Sequence, residues 1–241
     1  MIAILLTEFA KLRRSLVLLL VVAAPAMVAA MAFVIQTQAK HPAPWNGFMT
    51  NALAVWAIFM LPMAVTALTV LTAQIEHGPK AWNHLLALPI PRWRYFAAKA
   101  VVVLALTAAM SALLLVLLPV AGWLAMATRP AAALTGPVPV AQTASMLARM
   151  FGASLLMTVM QLWAALRFRS FVPPLILGIG GTFVAVAATG AKQGTFFPWL
   201  IPLNVIARDT GRADLALSLG LWGGLALGVV MLAAMSRYRP Q

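Results

Sequence analysis

The chain has 241 residues, 63% of them hydrophobic and 9% charged, whereas a water-soluble domain carries roughly 25% charged residues. Its 17 Lys and Arg against 4 Asp and Glu give a formal charge of +13, an excess that on a membrane protein marks cytoplasmic loops and not a nucleic-acid surface. The absence of cysteine excludes disulfides, thiol catalysis and thiolate metal sites, and spans of about 20 residues each leave no room for a large soluble domain.

In chain order, residues 1–15 come first. Ile2, Leu5, Leu6, Phe9 and Leu12 recur there at helical spacing, while Glu8, Lys11 and Arg14 take the other face. This pattern predicts an interfacial helix on the inner leaflet, or more simply an anchor ahead of the first span. Runs free of Asp, Glu, Lys, Arg and His, the side chains most costly at the bilayer centre, predict six spans at residues 15–35, 48–75, 100–128, 150–166, 171–191 and 215–236. The predicted fold class is an all-α integral membrane protein with a single transmembrane domain. A secretory signal competes for the first span, since Arg13 and Arg14 precede it and Ala30-Met31-Ala32 resembles a cleavage site. The apolar run is longer than a signal's, however, and five more spans follow.

With the N-terminus cytoplasmic, the inside holds Lys11, Arg13, Arg14, Lys80, Arg92, Arg94, Lys99, Arg167, Arg169, Arg237 and Arg239. The outside holds Lys40, Arg129, Arg149, Lys192, Arg208 and Arg212, two of them beside Asp209 and Asp214. That distribution favours both termini in the cytoplasm.

None of the predicted spans contains an ionisable residue, which argues against an ion-coupled transporter. No His, Asp or Glu sits beside a span serine to activate it for hydrolysis. The mild polar residues Thr66, Thr69, Ser154, Thr158 and Gln161 serve either helix-to-helix hydrogen bonding or a translocation path. Gly220, Gly224 and Gly228 repeat every four residues and form a flat stripe, for packing within the chain or for a subunit contact. No lysine follows a glycine, so there is no Walker A loop and no nucleotide site of that kind.

The 24-residue segment 76–99 reads EHGPKAWNHLLALPIPRWRYFAAK. Gly78 and Pro79 open a short helix and Pro89 closes it, with Trp82, Leu85 and Leu86 on one face. Such a helix either docks in a groove on another protein or lies among lipid headgroups. Glu76, His77 and His84 do not have the spacing of a metal site.

Three blocks resemble the permease subunits of ABC-2 type exporters, most closely the short permeases of bacteriocin and lantibiotic self-protection systems. They are Glu8-Phe9-Ala10-Lys11-Leu12-Arg13-Arg14-Ser15; then Glu76, Gly78, Trp82, Leu86, Pro89, Arg92 and Lys99; and Gln161-Leu162-Trp163 with Arg167-Phe168-Arg169. The resemblance implies a multi-pass protein of the bacterial cytoplasmic membrane, with no catalytic residue, cofactor or metal of its own. Segment 76–99 would be a coupling helix docking on a separate ABC ATPase present in two copies, which would hold ATP and Mg. Trp82, Leu85 and Leu86 would be its buried contacts, and Glu76 and Arg92 its charged edges. A second permease chain, the same or different, would complete the path. Segment 195–205, TFFPWLIPLNV, would match a re-entrant outer element; an ordinary interfacial loop explains it equally well. The apolar spans favour an amphipathic or hydrophobic cargo. A non-transporting membrane scaffold and a lipid-modifying membrane enzyme are the readings from other classes.

Overall fold

The computed structural model describes residues 1–13, 15–77, 90–207 and 209–237. Apart from a two-residue parallel pairing, its regular structure is helical. An N-terminal helix α1 (Ile2–Leu12) is followed by α2 (Leu16–Thr37), capped by the Ser15 hydroxyl accepting from the Val17 N–H. The next helical rod runs from Trp45 to His77 as α3 (Trp45–Val55), a π turn (Trp56–Met60) and α4 (Leu61–His77). Pro62 explains the π turn. Its ring removes one amide donor and presses on the carbonyl a turn earlier, and widening the preceding turn relieves both faults without breaking the rod.

Helix α5 (Arg92–Thr128) is the longest at 37 residues. It starts eight residues before the predicted third span, so Lys99 lies inside a helix and not in a loop. The predicted fourth span is a bent pair, α6 (Val140–Ala153) and α7 (Leu155–Arg167), meeting at 45°. It begins ten residues earlier than the charge-free run, because Arg149 pairs with Asp214 on the rim and a helix can carry such a residue at its edge. Helix α8 (Val172–Ala187), a four-residue helix α9 (Ile201–Asn204) and α10 (Thr210–Ser236) complete the chain.

Among the described residues, four elements are long and apolar enough to cross a membrane: α2, the Trp45–His77 rod, α5 and α10; the bent pair makes a fifth. Helix α8, at 16 residues, spans roughly 24 Å at 1.5 Å per residue, short of the ~30 Å hydrocarbon core. The long axis of the bundle is the packing of α2 along α5, with α4 against α7 and α8, and α10 against α7. At one end β1 (Ala43–Pro44) pairs in parallel with β2 (Leu134–Thr135), and Arg129 Nη1 donates to the Thr37 carbonyl at 2.8 Å. Segment 195–205 also folds back at this end, with Trp199, Leu200 and Ile201 buried. The opposite end carries α1.

Candidate functional site

Four charged side chains converge beneath α1. Glu8 and Lys11 lie three residues apart and share one face of that helix. Glu76 comes from the last turn of α4, and Lys99 sits two turns into α5. Lys11 Nζ donates to Glu8 Oε1 at 2.6 Å and to Glu76 Oε1 at 3.0 Å. Lys99 Nζ donates to Glu8 Oε2 at 2.7 Å and forms an ion pair with Glu76 Oε2. Each carboxylate gives one oxygen to each lysine, so the four groups close into a ring of alternating sign with no net charge.

Burial makes that closure obligatory. Glu8, Glu76 and Lys99 are 5%, 1% and 1% exposed, and isolated charges at such depth are strongly disfavoured. Glu76 also sits at a helix C-terminus, where a carboxylate opposes the backbone dipole; the two ammonium groups offset this. Burial by itself raises the carboxyl pKa of Glu8, but the charge of Lys99 and the hydrogen bonds from both lysines outweigh it and hold Glu8 below its ordinary range. Burial likewise lowers Lys11, and its bonds to Glu8 and Glu76 more than reverse this, leaving it raised.

The ring stands at the stem of the segment joining α4 to α5. Glu76 is two residues before residue 78 and Lys99 ten after residue 89, and their contact clamps the two helices. The stem is tied sideways as well. Gln74 Nε2 donates to the Arg169 carbonyl at 3.3 Å, and His77 Nε2 lies 3.2 Å from the Ala165 carbonyl, joining α4 to the end of α7.

Several expected placements change. Glu8 and Lys11, expected on the outward polar face of an interfacial helix, turn into the protein, while Ile2, Leu6 and Phe9 are exposed. The reason is that Glu76 and Lys99 satisfy the charges inside, so the inward face combines Glu8 with Leu5 and Leu12 and leaves Ile2, Leu6 and Phe9 outside. Glu76, expected as a charged edge of a docking helix, is buried in the ring. Arg92 is the first residue of α5 and half-buried. Gly78, Trp82, Leu85, Leu86 and Arg14 lie outside the described residues.

The five mild polar side chains are buried in the bundle core. Thr66, Thr69 and Ser154 donate to carbonyls of their own helical turn at 2.8 Å. Gln161 Nε2 donates to the Pro174 carbonyl at 2.6 Å, bridging α7 and α8. Thr158 Oγ1 and Gln161 Oε1 have no partner. Of the glycine stripe, Gly220 and Gly224 face the α6–α7 bend so closely that added Cβ atoms would lie 2.2 Å from the Ala153 carbonyl oxygen and 2.6 Å from Leu155 Cβ; Gly228 meets nothing within 4 Å. Two of the three are thus packing positions within the chain.

Lys99 is the ring member that sequence reasoning assigned elsewhere, as one more cytoplasmic base. A signal was present: it is a single cation inside the apolar run Phe96-Ala97-Ala98-Lys99-Ala100-Val101, in a chain whose few acids include one at the end of the preceding rod.

Long apolar helices, with the buried charges among the described residues gathered in one neutral ring near one end of the bundle, define a multi-pass all-α membrane protein. Residues 4–185 match the family model described as ABC-2 family transporter protein, and the chain belongs to that family, the membrane components of ABC transporters. No curated protein and no solved structure matches it. All four ring residues fall inside the matched region.

Proposed function

We propose that the chain is the permease subunit of an ATP-driven exporter, docked through residues 78–89 on a separate ATPase subunit. The observation that supports this reading is the ring at the stem of that segment, in a chain of the ABC-2 family. A force applied to the segment passes into two helix ends that buried charges hold rigidly together and to α1. Two ATPase copies and a second permease chain complete the assembly, with ATP and Mg bound by the ATPases. On this reading α8 is the fifth of six crossings and the basic end of the bundle turns to the cytoplasm, so that both termini would lie inside. This orientation follows the distribution of Lys and Arg and suits a bacterial cytoplasmic membrane.

The cargo is an amphipathic or hydrophobic molecule entering from the membrane. Resemblance to bacteriocin and lantibiotic self-protection permeases makes amphipathic peptides the first class to examine. The docking role is tested by pulling down the chain from its native membrane. An ATPase with a Walker A motif co-purifies with the wild type, and the pair hydrolyses nucleotide faster than the ATPase alone. Trp82→Asp combined with Leu86→Asp abolishes association while membrane insertion persists. Association that survives both substitutions refutes the docking assignment, and association without any stimulated hydrolysis favours a non-transporting scaffold.

A further inference from the structure

We infer that the groove between α7, α8 and α10 is a binding site for one acyl chain of an anionic phospholipid, with the headgroup held at Arg167. The groove encloses about 470 Å3, within the ~300–1,000 Å3 of small-molecule sites. Its floor is a single stripe of α7, where Leu156, Met160, Trp163 and Ala164 recur at helical spacing. The walls are Leu177 of α8 and Leu227 of α10.

Three features specify the occupant. The stripe rises eleven steps from Leu156 to Arg167, roughly 16 Å at 1.5 Å per residue, about half of a ~30 Å hydrocarbon core. That is the depth of one leaflet, so a lipid tail fills the groove lengthwise. The floor and walls are apolar to within one residue of the end, and at that end the lining changes to Arg167 and Phe168. Arg167 and Arg169 are both exposed at that end, and basic sites between membrane helices select anionic headgroups. Finally, Leu177 is 37% exposed and Phe168 47%, so the groove opens sideways to lipid. The opposite face of α7, bearing Met157, Gln161 and Ala165, is buried in the bundle, so groove and core use separate faces of that helix. The site is independent of ATPase docking and would exist in a scaffold as well as in a permease.

The test reconstitutes the full chain in bilayers and photolabels it with phosphatidylglycerol carrying a diazirine near the middle of a 16-carbon chain. Phosphatidylcholine with the same chain is the comparison. We expect the anionic probe to label the peptide containing residues 156–167 at least threefold more than the zwitterionic one, while both label α2 equally. Arg167→Gln should remove the headgroup preference, and Met160→Trp should remove labelling from the groove with α2 labelling unchanged. Equal labelling of residues 156–167 by both probes overturns the proposal. So does no labelling there by either, the result expected if a second copy of the chain covers the groove.

Discussion

Glu76 and Lys99 are 23 positions apart in the sequence and form a direct ion pair, which Glu8 and Lys11 of α1 complete into a closed ring. Breaking such a ring at one point leaves an unmatched buried charge, which typically costs about 3–5 kcal/mol. Lys99→Met should therefore sharply lower the thermal stability of the purified protein in detergent. Lys99→Met with Glu76→Gln should recover a substantial part of that loss, because the remaining Glu8 and Lys11 still pair. A double variant as unstable as the sum of the singles would show that the two side chains do not interact.

The ring's dependence on pH has a defined sign. Glu8 lies below its ordinary value of 4.5, so its contribution is full above that value and lost as pH falls through the lower folded one. Lys11 lies above its ordinary 10.5, so its contribution is full below 10.5 and lost as pH rises through the higher folded value. The stabilisation from these two groups is flat between 4.5 and 10.5 and declines outside that window. Glu8→Gln should flatten the acid limb of a melting-temperature profile; an unchanged acid limb would assign it to other groups.

Thr158 and Thr69 differ in a way that valine substitution can separate. Both are buried, but only Thr69 donates to a carbonyl, while Thr158 Oγ1 is unpartnered. Leaving a buried hydroxyl unsatisfied costs about 1–3 kcal/mol. Thr158→Val should be neutral or stabilising, and Thr69→Val destabilising by about 0.5–1.5 kcal/mol. Melting temperatures in the reverse order would mean that an ordered water satisfies Thr158.

Three glycines give a graded series. Gly178 and Gly220 would place a Cβ 2.0 Å from Thr66 Oγ1 and 2.2 Å from the Ala153 carbonyl oxygen, whereas Gly228 faces open space. Alanine at Gly178 or Gly220 should destabilise by about 1–3 kcal/mol through overpacking. Gly228→Ala should be tolerated or should add a few tenths of a kcal/mol or more through helix propensity. Equal effects at all three would contradict the packing of α10 on the bend.

Apolar content and the spacing of charges made the helical membrane class legible; α2 ends within two residues of its apolar run and α10 at the same residue as its run, but α10 begins five residues before its run does. The same rule misplaced the start of α5. It treats every ionisable residue as a boundary, and Lys99 is an ionisable residue neutralised within the protein. Pairing of that kind joins residues 8, 11, 76 and 99, and nothing in local periodicity registers it. Amphipathicity of α1 was equally legible, but which face turned inward depended on partners from α4 and α5. The bend at Ser154 was not read from the sequence, although Gly152 and Ser154 together are a weak kink signal there.

At that bend the Ser154 N–H is shared between the Met150 and Phe151 carbonyls, and the Thr158 N–H continues to the Ser154 carbonyl. The turn of direction is made without stripping any of these amides of a partner, which membrane-embedded backbone requires. Gly220 and Gly224 bring the backbone of α10 flush against the corner. The arrangement is a buttressed elbow. A side chain at Gly220 would press on α6 and one at Gly224 on α7, so either would part α10 from the corner.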